Sequence, residues 1–267
     1  MRNTMPRGKV RRGVRIAKKK TSNRPKPNYR LLFGIFFISV LFNAGISYAV
    51  RTPELLVREV KISGVRLADE STVKKTARAA LGQNILLLRK SSILNKIRQL
   101  SEVSEVKMGR SFPDKAWVRV VERKADCVLM ANQKYFLMQK NGFVFHSVKE
   151  PVKGLPVLMV AKCDPIKVGK TASSAGVQDA LEALKYVHKE RLTVNKISVD
   201  HDGDMCLNME SGFYVKLGQP EDVAGKMSIL RRTLVYKPSI SRDAVYVDIS
   251  CPRAPVWKPK AFVQASS

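Results

Sequence analysis

Residues 31–50, LLFGIFFISVLFNAGISYAV, run for 20 residues without a charged side chain. At about 1.5 Å per residue a helix of that length is about 30 Å long, the thickness of a bilayer's hydrocarbon core. The surface helix of a soluble protein carries a polar face, and this run has none, so lipid suits it better than a half-exposed core. Asn43 is its one strongly polar side chain. The flanks are as informative. Residues 1–30 carry 12 Lys/Arg and no acid, whereas the rest of the chain carries 37 Lys/Arg and all 22 acids. The positive-inside rule then predicts an uncleaved signal-anchor, with the N-terminus in the cytoplasm and everything after Arg51 across the membrane. A cleaved signal peptide is the alternative, since Ser47-Tyr48-Ala49 has a small-x-small pattern. Signal h-regions, however, usually span about 7–15 residues behind a shorter basic segment.

The formal charge of +27 would by itself point to nucleic acid. Its distribution does not. Residues 1–30 hold +12 and sit beside an anionic cytoplasmic leaflet, and their Pro-, Arg- and Lys-rich composition predicts disorder. The exported part keeps 37 basic against 22 acidic residues, a net +15, which suits an acidic partner, an anionic polymer or simply a solvated surface. Nucleic acid is not the expected partner.

The pattern after the span predicts an α+β fold in two parts. The first, at about 55–124, reads strand–helix–helix–strand–strand. Leu55–Ser63 alternates and stops at Gly64, and Asp69 is placed to cap a helix with Val73, Ala77, Ala80 and Leu81 on its core face. A second helix carries Ile93, Leu94, Ile97 and Leu100, and strands at Val103–Met108 and Trp117–Val121 flank a loop with Phe112-Pro113-Asp114. The second part, at about 125–257, is a mostly antiparallel β-domain with two helices. Strands are expected at Cys127–Met130, Tyr135–Met138, Phe143–Phe145, Leu155–Leu158, Ile197–Val199, Met205–Met209 and Phe213–Leu217. The helices carry Val177, Ala180, Leu181, Leu184 and Val187, and then Val223, Met227, Leu230 and Leu234, with Pro238 ending the second. Val245–Ser250 alternates strictly and reads as the closing strand. Pro252, Pro255 and Pro259 predict a stiff tail that cannot extend the ladder, with residues 258–267 as a C-terminal tail.

In order along the chain these segments resemble the FtsQ/DivIB family of bacterial cell-division proteins. The residues that carry the likeness are Val60-Lys61-Ile62-Ser63-Gly64, Gly82-Gln83-Asn84-Ile85-Leu86 and Arg110-Ser111-Phe112-Pro113-Asp114 with Val118-Arg119-Val120-Val121-Glu122-Arg123. They continue with Gly142-Phe143-Val144-Phe145, Gly154-Leu155-Pro156-Val157-Leu158, Tyr214-Val215-Lys216-Leu217-Gly218 and Val247-Asp248-Ile249. Each motif is weak alone; seven in register behind one signal-anchor are specific. The resemblance implies a POTRA domain at 55–124 and an FtsQ-type β-domain at 125–257. It also implies a single-pass inner-membrane protein at the division septum, with its C-terminal part periplasmic. Members have no known catalytic activity and need no cofactor. They hold FtsB, itself paired with FtsL, with FtsK-type and septal wall synthesis proteins as further partners.

The same resemblance puts partner capture on the edge of the last strand and the residues beyond it. Here these are Val245, Tyr246, Val247, Asp248, Ile249, Ser250, Cys251 and Trp257. An unpaired strand edge offers N–H and C=O groups that a partner strand completes. The alternation predicts Val245, Val247 and Ile249 toward the core, with Tyr246, Asp248 and Ser250 on the other face. Trp257, among prolines, is expected to be an exposed anchor. Two departures stand out: Phe112 replaces the family's loop Trp, and Ser250 and Cys251 stand where many relatives have Arg and Tyr.

Other patterns carry less. Val168-Gly169-Lys170-Thr171 ends like a phosphate-binding loop, but Asp164 stands where that loop needs glycine. His146, His188 and His201 have no metal-ligand spacing, and Asp200-His201-Asp202-Gly203-Asp204 reads as a charged hairpin turn. Cys127, Cys163, Cys206 and Cys251 contain no C-x-x-C; they allow three full disulfide connectivities, with buried free thiols as the default. The rival functions are a POTRA-containing outer-membrane assembly or secretion component, and an anchored exported enzyme, for which no convergent polar set is evident.

Overall fold

The computed structural model describes residues 28–260. The expectations for the basic tail and the C-terminal tail lie, over residues 1–27 and 261–267, outside the described residues. Helix α1 (Tyr29–Arg51) contains one stretch, Tyr29–Tyr48, long and apolar enough to cross a membrane, and none of that stretch is buried. Asn43 needs no neighbouring helix, because its side-chain amide donates to the Ser39 carbonyl at 2.7 Å, one turn back along the same helix.

The chain from Thr52 onward forms a separate compact unit. Its first layer contains β1 (Glu59–Ser63), α2 (Glu70–Ala77), α3 (Lys90–Arg98), β2 (Val103–Ser111) and β3 (Lys115–Glu122). The strand order is β1-β3-β2, with β1 parallel and β2 antiparallel to β3. Val73, Ala77, Ile93 and Ile97 from the helices meet Val106, Val118 and Val120 from the sheet in one core. Asp69 caps α2, accepting from the backbone N–H of Ser71 at 3.0 Å and of Thr72 at 3.2 Å. The Thr72 and Ser71 hydroxyls also donate to it, and these bonds hold its carboxyl below the usual range.

Two expectations for this layer change. Pro53–Leu55 forms a 3-10 turn, so the first strand is shorter than Leu55–Ser63. Leu81 is exposed because Arg78–Ala80 tightens to a 3-10 turn after α2; three residues per turn instead of 3.6 swing it off the core face.

Glu122, at the end of β3, accepts from the backbone N–H of Arg66, Leu67 and Ala68 at 2.8, 2.8 and 2.9 Å. It thereby pins the loop that leads into α2. Gly64 opens that loop with φ +87°, and a Cβ there would meet the Val120 carbonyl oxygen at 2.0 Å, so the glycine is obligatory.

The second layer is a ten-stranded sheet in the order β13-β12-β11-β10-β9-β7-β4-β5-β6-β8. Its strands are β4 (Cys127–Ala131), β5 (Lys134–Met138), β6 (Phe143–Val148), β7 (Val157–Val160), β8 (Lys170–Thr171), β9 (Val194–Val199), β10 (Met205–Met209), β11 (Tyr214–Gly218), β12 (Ala244–Asp248) and β13 (Val256–Pro259). Most ladders are antiparallel; β4–β7, β7–β9 and β11–β12 are parallel. Asn132 and Gln133 both have positive φ, the signature of a two-residue type I′ hairpin between β4 and β5. Helices α4 (Ala175–Lys189) and α5 (Val223–Tyr236) bury Val177, Leu184, Met227 and Leu230 against Leu129, Ile197, Leu207 and Val215 of the sheet. A smaller apolar cluster of Val128, Leu137 and Phe145 forms a separate patch. The two sheets are joined through Arg123, whose Nε donates to the Ser101 carbonyl at 3.0 Å and whose terminal nitrogen donates to Gln139 at 3.1 Å.

Three elements differ from the expected pattern. Lys170 and Thr171, after Gly169, form the short edge strand β8, paired with β6. A short helix, α6 (Ile240–Asp243), follows Pro238. Most consequential, the proline-rich stretch after Val245–Ser250 does extend the ladder, as β13.

Candidate partner-binding edge

The C-terminal end of the sheet is built in a fixed order. Helix α5 crosses over so that β12 lies parallel to β11, in the register Tyr214↔Tyr246, Val215↔Val247 and Lys216↔Asp248. The backbone N–H of Ile249 extends this ladder by donating to the Lys216 carbonyl at 2.9 Å. Val247 and Ile249 are buried, as the alternation predicts, whereas Val245 is only half-buried, next to a register shift between Ala244 and Tyr246. On the opposite face Tyr246 stacks on Tyr214 with ring centroids 5.4 Å apart, and the Lys216 ammonium lies 4.8 Å from the Tyr246 ring centre.

Beyond β12 the Asp248 carboxylate accepts from the Ser250 backbone N–H at 3.0 Å and from its hydroxyl at 2.5 Å, which turns the chain. Cys251 is exposed in this turn and its carbonyl accepts from the Ala254 N–H at 3.1 Å. The chain then returns as β13, antiparallel to β12, with Trp257 opposite Val247 and Val256 opposite Asp248. Lys260 ties the end down, its N–H donating to the Asp243 carbonyl at 2.7 Å and its ammonium to the Arg242 carbonyl at 2.8 Å.

Two expectations are corrected by this geometry. Val245–Ser250 is not the free edge, because β13 covers it; among the described residues the open edge on this side belongs to Val256–Pro259. Trp257 is not a loose, exposed anchor. It is half-buried in an open groove with Ile229, Thr233, Tyr236 and Ile240, and the Lys237 ammonium lies 4.4 Å from its ring centre. The prolines misled because only Pro259 falls within the strand, at its last position, where a missing N–H costs least. Tyr214, Lys216 and Lys237 also border the edge. Their contacts are long-range, and no local periodicity signals them.

The surroundings are basic and partly apolar. Arg231, Arg232, Lys237 and Lys258 are exposed here, as are Val235, Tyr236 and Val256. An unpaired backbone edge flanked by aromatic side chains and cations is suited to an extended, acidic, partly apolar chain. Elsewhere, Asp200 Oδ1 accepts from the N–H of Asp202 and Asp204, both at 2.9 Å, the geometry of a hairpin turn. The four cysteines are free, and only Cys127 is buried; burial pushes its thiol up to about 12.

Residues 55–123 match the profile of the POTRA domain, FtsQ-type, and residues 128–250 match that of the cell division protein FtsQ/DivIB C-terminal region. Among curated proteins, the cell division protein FtsQ of Streptomyces bingchenggensis is 25% identical over 92% of this chain and 89% of its own length. The cell division protein DivIB of Clostridium acetobutylicum is 20% identical over 79% of this chain and 86% of its own. The FtsQ of Rickettsia felis is 24% identical over 72% of this chain and 71% of its own.

Proposed function

The chain belongs to the FtsQ/DivIB family of cell division proteins, and we propose that it is a non-enzymatic scaffold of the divisome. In this reading α1 anchors it in the inner membrane, with the basic N-terminal tail in the cytoplasm and the unit from Thr52 onward outside. Residues 55–124 act as the POTRA domain and 125–257 as the partner-holding β-domain. The C-terminal edge, from Val245 through Trp257, holds an FtsB-type protein and through it an FtsL-type protein. The observation that carries this is a sheet ending in a short hairpin strand, bordered by Tyr246, Trp257 and exposed cations. The charge asymmetry about residues 31–50 supports the orientation.

The test is a fluorescent fusion to the N-terminus in dividing cells, combined with depletion of the protein. A band at midcell with failed septation on depletion is the expected result. A uniform envelope signal with normal division would remove the reading.

A further inference from the structure

The ladder of β12 is filled on both sides, by β11 and by β13. A partner strand reaches β12 only if β13 leaves; otherwise it must pair with β13 itself. β13 is a poor template for pairing. It has four residues, Pro255 precedes it, and Pro259 in its last position has no N–H to offer. It is also lightly held. Val256, Lys258 and Pro259 are exposed, so apart from ladder hydrogen bonds and the Lys260 tie its retention rests on Trp257. That side chain packs against the rim of the main core from an open groove and is only half-buried. By contrast β12 buries Ala244 and Val247 nearly completely, and Ile249 just after it, around the pairing with β11. The hairpin thus joins a firmly seated strand to a loosely seated one.

We infer that β13 is a detachable strap that covers the β12 edge in the resting molecule and is exchanged for a strand of the docking partner. The inference rests on the reading that the partner docks at this edge, and it adds how the edge is kept closed. It also defines the partner's chemistry. The incoming segment is extended, so that it repeats the antiparallel ladder of β13. It carries one aromatic or branched apolar side chain to occupy the groove of Ile229, Thr233, Tyr236 and Ile240 that Trp257 vacates. Acidic flanking residues meet the exposed Arg231, Arg232 and Lys237. The strap protects the edge from indiscriminate strand addition, and it lowers the apparent affinity by the fraction of time it is closed.

The experiment uses three full-length, membrane-reconstituted chains carrying Cys251→Ser: the parent, a chain stopped after Ala254, and a chain with Asp248→Cys and Val256→Cys, which face each other across the β12–β13 ladder. The probe is a labelled synthetic peptide of residues 252–260, with retention of the division partner from cell extract as a second readout. The expected result is peptide capture by the stopped chain, with partner retention about tenfold stronger than the parent's if the strap is open about a tenth of the time, and both capture and retention weaker in the oxidised double-cysteine chain than in the same chain reduced. Circular dichroism checks the fold of the stopped chain; if it does not fold, the oxidised and reduced double-cysteine chain decides alone. Partner retention equal in the oxidised and reduced forms of the double-cysteine chain, with no peptide capture, would overturn the strap while leaving docking at the outer edge standing. Peptide capture with equal partner retention on all three chains would overturn the exchange of β13 for a partner strand and docking at this edge, since the strap would then leave with no partner taking its place.

Discussion

The Lys237 ammonium lies 4.4 Å from the centre of the Trp257 ring, so the residue that caps α5 grips the side chain that seats the last strand. The contact joins cation–π attraction to apolar burial beside Ile229 and Ile240. Trp257→Ala is expected to cost about 1–3 kcal/mol and to speed hydrogen exchange at the β12 amides facing β13, leaving those facing β11 protected. Lys237→Ala should cost less, about 0.5–1 kcal/mol. Chemical denaturation and exchange mass spectrometry of the four chains of a double-mutant cycle measure both effects.

Glu122 predicts an acid sensitivity. Burial pushes its carboxyl upward, and the N–H groups of Ala68, Arg66 and Leu67 outweigh this, so its pKa lies below the ordinary value. A carboxylate depressed in the folded state contributes stability that is complete above its unfolded value, about 4.3, and is lost as pH falls through the folded one. Glu122→Gln should therefore destabilise at neutral pH and flatten the loss of stability below about pH 4.3. Thermal melts of both chains across that range provide the check, and parallel pH curves would refute it.

Gly109 and Trp117 face each other across β2 and β3, and a Cβ on Gly109 would come within 2.1 Å of the indole. The glycine leaves room for the ring to lie across the neighbouring strand. Gly109→Ala should destabilise by about 1–3 kcal/mol through overpacking. Most of that cost should disappear in a Trp117→Ala background, because the two changes share one contact.

Thiol chemistry should separate the cysteines. Cys127 is fully buried and its thiol is pushed up to about 12, whereas Cys251 sits exposed in the β12–β13 turn. A maleimide should label Cys251 within minutes at neutral pH and label Cys127 only on unfolding. Mass spectrometry of the alkylated peptides reads this directly.

Much of the fold is written in local pattern. Asp69 announces its helix because its side chain satisfies N–H groups two and three residues on. The Ile93/Ile97 stripe and the Val247/Ile249 alternation mark buried faces because burial follows the period of the backbone. Where the structure departs from local pattern the cause is also physical. Leu81 fits a 3.6-residue period that the chain abandons at Arg78. β13 was hidden by its prolines, since propensity argues against a strand there, while the adjoining ladder and the groove for Trp257 supply the stabilisation. The stacking of Tyr246 on Tyr214 depends on a parallel register set by the α5 crossover, and no short window of sequence contains that.

The most direct test of partner docking at the C-terminal edge is site-specific photocrosslinking in dividing cells. A photoreactive residue is placed at Tyr246 or at Ser250 of the full chain, with Val152, exposed in the loop between β6 and β7, as control. The account predicts a covalent adduct with an FtsB-type division protein from both edge positions and none from Val152. Adducts from Val152 with none from the edge would contradict it.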